Sequence, residues 1–151
     1  YMHPSGTLFI GGTDRGWGAR GGKRFALDRV TWKGKVPFEI HEMRAKSDGF
    51  ELNFTHEVDA KTAVDLASYS MSAYTYIYQS KYGSPVVDKI TPKVVGAELT
   101  GPKTVRITVD KLTKGHVHEL QAKGVRSLDG KPILHPIGYY TLNEIPPAEV
   151  N

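Results

Sequence analysis

The sequence predicts an all-β protein organised as a sandwich. Three observations carry this. Short runs alternate apolar and polar residues, the period of a strand with one buried and one wet face. Turn residues separate these runs at short, even intervals. The composition, with 16 Gly, 9 Pro and 8 Tyr among 151 residues, favours strands and turns over helices.

In chain order, Gly6 to Gly12 reads as a short strand after a Ser-Gly turn. The segment from Thr13 to Arg24 is rich in glycine and arginine and reads as a loop. Gly16, Gly18 and Gly21 match the spacing of a phosphate-binding loop, but no helix follows to supply aligned amides, so that reading is set aside. Trp17 in this loop is an aromatic ring available to a ligand. Phe25 to Trp32 alternates as a strand, Lys33 to Lys35 turns, and Pro37 to Arg44 forms another strand with Phe38 and Ile40 on one face.

The most regular stretch follows. Phe50, Leu52 and Phe54 point one way, Glu51, Asn53 and Thr55 the other. After Val58-Asp59 comes a run long enough for about one helical turn. Tyr69 to Gln79 resumes the strand pattern, with Tyr69, Met71, Ala73 and Ile77 on one face and Tyr74, Tyr76 and Tyr78 on the other. Strands are expected again at Lys93 to Leu99, Thr104 to Val109, His116 to Ala122 and Tyr139 to Leu142. This succession is the signature of an immunoglobulin-like (Ig-like) sandwich. The expected organisation is an N-terminal strand-and-loop extension over 1–35, the sandwich over 36–147 and a tail over 148–151.

Two groups of side chains offer chemistry. His116 and His118 project from the same strand face, a spacing that binds zinc or copper when a third ligand arrives from elsewhere, with His41, His56 and His135 as the available thirds. Leu120 and Ala122 on that face point instead to a core or rim position. Tyr74, Tyr76 and Tyr78 recur every second residue and form either a second packing face or a stacking platform for sugar rings. The packing reading is the simpler one. Usual nucleophilic routes are closed, because the chain has no cysteine and no Gly-x-Ser-x-Gly elbow. An enzyme in its own right is not expected, nor a cofactor. The net charge of +4 is spread among interleaved signs, so no nucleic-acid-binding block stands out. No window is apolar enough to span a membrane. Residues Tyr1 to Thr7 lack the regions of a signal peptide and read as the interior of a longer chain.

Several segments together suggest a relationship: TDRGWGARGGK (13–23), FALDRVTW (25–32), FTHEVD (54–59) and GVRSLDG (124–130), with the long stretches 35–59 and 116–146. The chain resembles the C-terminal region of large secreted bacterial proteins related to sorbosone and glucose dehydrogenases. The resemblance implies that the N-terminal strand and loop end a β-propeller, and that a bacterial Ig-like domain follows. It also implies a periplasmic or extracellular location. The implied partners are neighbouring domains of the same protein, a β-propeller and a cytochrome c-like domain. Family chemistry would sit in the propeller, so no catalytic residue is carried onto this chain. The expected function is a non-catalytic accessory or scaffold domain; the alternative is a carbohydrate-binding module using the tyrosine face.

Overall fold

The computed structural model describes residues 3–13 and 23–148. The chain divides into two compact units, Tyr1–Val36 and Pro37–Asn151.

The first unit contains a hairpin of β1 (Thr7–Thr13) and β2 (Phe25–Thr31), antiparallel and in unbroken register from Thr7 opposite Thr31 to Thr13 opposite Phe25. Residues paired across an antiparallel ladder share a face. Leu8, Ile10, Ala26 and Val30 therefore stand on one side, and Phe9, Phe25 and Leu27 on the other. Both faces carry apolar residues, with Asp28 on the first and Arg29 on the second. Every residue of β2 is exposed, Phe25 and Leu27 each by about three quarters (77% and 76%).

The second unit is a sandwich of two antiparallel four-stranded sheets. One has the order β3 (Ile40–Lys46), β4 (Gly49–Phe54), β8 (Thr104–Val109), β7 (Val94–Gly101). The other runs β10 (Ile137–Leu142), β9 (His116–Gln121), β5 (Ser70–Tyr76), β6 (Val86–Ile90). Matching strands in chain order, these are the A-B-E-D and G-F-C-C′ sheets of an Ig-like sandwich. The alternation seen in sequence fixes the core. Phe50, Leu52, Phe54, Val105, Ile107, Val109, Met71 and Leu120 all lie in one cluster of buried side chains. Phe38 stacks on Phe54 with ring centroids 5.6 Å apart, from just ahead of β3.

Between β4 and β5 the chain makes one short helix, α1 (Ala60–Val64), then a 3₁₀ turn (Leu66–Ser68). Asp59 caps α1 by accepting a hydrogen bond from the Thr62 amide at 2.9 Å. The Tyr69 hydroxyl donates to the Ala63 carbonyl at 2.6 Å, tying the helix to the start of β5. At the β3–β4 turn Gly49 is required sterically, since a Cβ there would run into the Ile107 carbonyl.

Each sheet edge is blunted against further pairing. A register shift between Ile40 and Glu42 interrupts β3, which also carries Glu42, Arg44 and Lys46. α1 lies against the twice-bulged β7. β6 is short and kinked, with Asp88 in the left-handed region at φ 51°. β10 tucks against β3, where Gly138 faces the Met43 sulfur.

Two differences from the sequence reading have a local cause. The bulge in β3 moves the inward positions to Ile40, Met43 and Ala45, so the strand begins later than Pro37 and does not alternate evenly. Strand β6 falls between the expected strands because Val86–Ile90 has only five residues, with a turn-forming aspartate at its centre.

Candidate functional site

The two histidines of β9 face the core, as Leu120 beside them does. His118 has no exposed surface and packs on Phe50, ring centroids 5.4 Å apart. Its Nδ1 lies 3.3 Å from the His116 carbonyl, which can only accept, so the proton sits on Nδ1. Nε2 then accepts from the Thr113 amide at 3.4 Å. Burial pushes the His118 pKa down and His116 adds to that, while the hydrogen bond to the His116 carbonyl opposes it. His118 is thus a neutral ring with both nitrogens engaged.

His116 also faces inward. Its Nδ1 meets the Lys114 carbonyl at 3.2 Å and its Nε2 the Asp88 carboxylate at 3.0 Å. Asp88 reaches it from β6, two strands away, because the kink at that residue re-aims the side chain. Of the other histidines, His135 is held by Glu39, through its ring at 2.6 Å and its amide at 2.9 Å. His56 lies beside Phe38. Among the described residues no group of three or more His, Asp or Glu side chains is gathered to hold a metal ion.

The tyrosines occupy the outer face of the β10-β9-β5-β6 sheet. Tyr74 and Tyr76 meet edge to face, ring centroids 5.7 Å apart and 87° between planes. Tyr76 is half exposed. Partial burial raises the Tyr74 pKa first, then a hydrogen bond with Tyr76; Glu119 and Tyr139 add their charge. Tyr78 does not join them. β5 ends at Tyr76, and Tyr78 is fully exposed in the following loop. Cross-strand register supplies a different third ring: Tyr139 of β10 is opposite Glu119, which is opposite Ser72 of β5. The aromatic group is therefore Tyr74, Tyr76 and Tyr139, with Glu119 beside Tyr139. Tyr139 escaped the sequence reading because pairing between β10 and β9 is non-local; its outward position two residues from Thr141 was the available signal. Trp17 and the glycines Gly16, Gly18 and Gly21 lie outside the described residues.

A shallow open cleft of about 290 Å³ is lined by His56, Glu57, Leu128 and Asp129. Asp129 is already committed there, to Ser127 and to Lys131.

No protein-family model and no curated protein matches the chain. Solved structures do match. The N-terminal part of the bacterial S-layer protein SbsC aligns with a TM-score of 0.54 at 18% identity, covering 72% of this chain and 24% of that one. Domains 1–6 of the surface layer protein SbsC give 0.55 at 18% identity, covering 77% and 15%. The S-layer protein rSbsC(31-844) gives 0.54 at 19% identity, covering 75% and 14%. At this identity the likeness establishes the sandwich fold. The chain spans less than a quarter of the length of each of these chains.

Proposed function

We propose that the chain is a non-catalytic accessory module of a larger bacterial protein at the cell surface or outside the cell. In this reading the sandwich acts as a rigid spacer, and the β1–β2 hairpin packs on a neighbouring β domain, of which a propeller is the form implied by the sequence resemblance. The observation that carries it is the hairpin. A two-stranded piece is marginal in water on its own. This one presents apolar residues on both faces, with Phe25, Leu27 and Trp32 exposed by 77%, 76% and 60%. Exposed apolar area on that scale marks a surface made to be covered. The structural neighbours support the location, since each is part of a surface-layer protein many times longer than the aligned region.

Hydroxyl-radical footprinting tests this. Phe25, Leu27 and Trp32 are oxidised readily in this chain alone, and are protected when the full protein is labelled on its cells. Equal oxidation in both settings refutes the accessory role of the hairpin.

A further inference from the structure

The two outer faces of the sandwich differ in chemistry. On the β3-β4-β8-β7 sheet, register sets Arg44 opposite Glu51, Glu51 opposite Arg106 and Arg106 opposite Glu98. That is a row of alternating charges across four strands, each with an opposite neighbour. Lys46 also pairs with Glu51, and Arg106 with Asp48. Such a face is satisfied by its own side chains and by water.

On the other sheet β5, β9 and β10 carry no Lys or Arg, and the edge strand β6 carries one, Lys89, although the chain has 20 of them. The outward positions are Ser70, Ser72, Tyr74 and Tyr76 on β5, Val117, Glu119 and Gln121 on β9, and Ile137, Tyr139 and Thr141 on β10. Successive rows are roughly 7 Å apart along a strand and strands are roughly 5 Å apart. Tyr139 and Tyr76, two strands and two rows apart, are thus separated by roughly 17 Å. Between them lies Val117 as an apolar floor, and Glu119, whose Oε1 accepts from the Gln121 amide at 2.9 Å. Tyr139 is 59% exposed and Tyr76 49%.

We infer that this face is a docking surface for a neutral polysaccharide, with Tyr139 and Tyr76 offering ring faces to pyranose C–H groups and Glu119 with Gln121 accepting and donating to sugar hydroxyls. The elements of that recognition are all present: separated exposed rings, a carboxylate–amide pair on β9 beside Tyr139, and hydroxyls at Ser72 and Thr141. The scarcity of cations, with Lys89 of the edge strand β6 alone among the sheet's strand residues, selects among polymers. Nucleic acid and sulfated or phosphorylated glycans need basic side chains, which these three strands lack outward. The edge-to-face setting of Tyr74 and Tyr76, with ring planes 87° apart, makes Tyr74 a buttress for its neighbour. This surface is distinct from the hairpin, so the inference stands apart from the accessory role.

Native affinity electrophoresis in gels containing hydroxyethylcellulose, xylan or laminarin tests it, with heparin as the anionic comparison. Wild type is retarded by at least one neutral polymer. Tyr139→Ala and Tyr76→Ala each weaken retardation about tenfold, as losing a stacked ring implies. Glu119→Gln weakens it about threefold, since the amide keeps an acceptor but loses the charge. Tyr78→Ala and Leu27→Ala leave it unchanged. Both ring substitutions are at exposed positions, and unchanged melting temperatures show that the sandwich is intact. Retardation by none of the neutral polymers, or by heparin alone, overturns the inference. So does wild-type retardation in both Tyr139→Ala and Tyr76→Ala.

Discussion

Strands β2 and β4 use the same letters to opposite effect. β2 carries Phe25 and Leu27 two residues apart, and β4 carries Phe50, Leu52 and Phe54 at the same spacing. In β4 these side chains are at most 2% exposed, whereas in β2 they are about three quarters exposed. The difference lies in the layers. β4 has a hydrogen-bonded strand on each side and a second sheet across from it, whereas β2 has one partner strand in a unit of two. Alternation determines which side chains share a face. A second layer determines whether that face is buried, at roughly 1.5–3 kcal/mol for each large apolar side chain.

The largest expected effect tests that contrast directly. Phe54→Ala removes a ring stacked on Phe38 in the closed core and is expected to lower stability by about 3–5 kcal/mol in urea denaturation. Leu27→Ala, the same kind of truncation on β2, is expected to stay within about 0.5 kcal/mol of wild type. Comparable losses at the two positions would break the comparison.

The contrast also explains what could be read in advance. Phe50, Leu52 and Phe54, the triplet Val105, Ile107 and Val109, and the run His116, His118, Leu120 are regular strands without bulges, and their inward faces follow from period two alone. The pattern fails where the backbone departs from that period. The shift after Ile40 re-phases β3, the left-handed Asp88 hides β6, and β5 stops before Tyr78. Site residues are harder still, because Tyr139 meets Glu119, and His116 meets Asp88, only through sheet order. Those pairings depend on long-range register, which no local window contains.

A smaller effect sharpens the comparison at the level of single hydroxyls. Tyr69 is buried, which pushes its phenol pKa up, and it donates to the Ala63 carbonyl. Tyr69→Phe leaves that buried carbonyl short of a partner and is expected to cost about 1–3 kcal/mol. Tyr78→Phe, at a fully exposed ring, is expected to leave the denaturation midpoint unchanged. Equal behaviour of the two would show that burial is not what distinguishes them.

His118 extends the test to pH. Its folded-state pKa lies below the ordinary histidine value of 6.5, so the unfolded chain binds the proton more readily. Stability is therefore unaffected above that value and falls as pH drops below it, until the folded-state pKa is passed. His118→Phe removes this term, and its melting temperature is expected to fall less than that of wild type between about pH 7 and about pH 5. An identical slope in the two proteins would mean that the buried ring charges without cost, and that the core around Phe50 is open to water.

The smallest effect is expected at Asp129, where the sandwich surface binds a charge without burying it. Lys131 is the main reason its carboxyl is held down at about 2, with the Ser127 hydroxyl donating a second bond. Both partners come from the same turn, closed by Gly130 at φ 80°. A carboxylate with a depressed folded-state pKa stabilises the protein above its unfolded value of 3.8, and this contribution is lost as pH falls through about 2. Because the group is in water, salt screens much of the attraction. Asp129→Asn is accordingly expected to melt slightly below wild type at about pH 5, with the gap closing as pH approaches 2 and narrowing in about 0.5 M salt. Thermal melts across that acid range check it. A gap that persists undiminished at the lowest pH would assign the role of Asp129 to neutral hydrogen bonding with Ser127, since the amide of the variant would then be failing at geometry and not at charge.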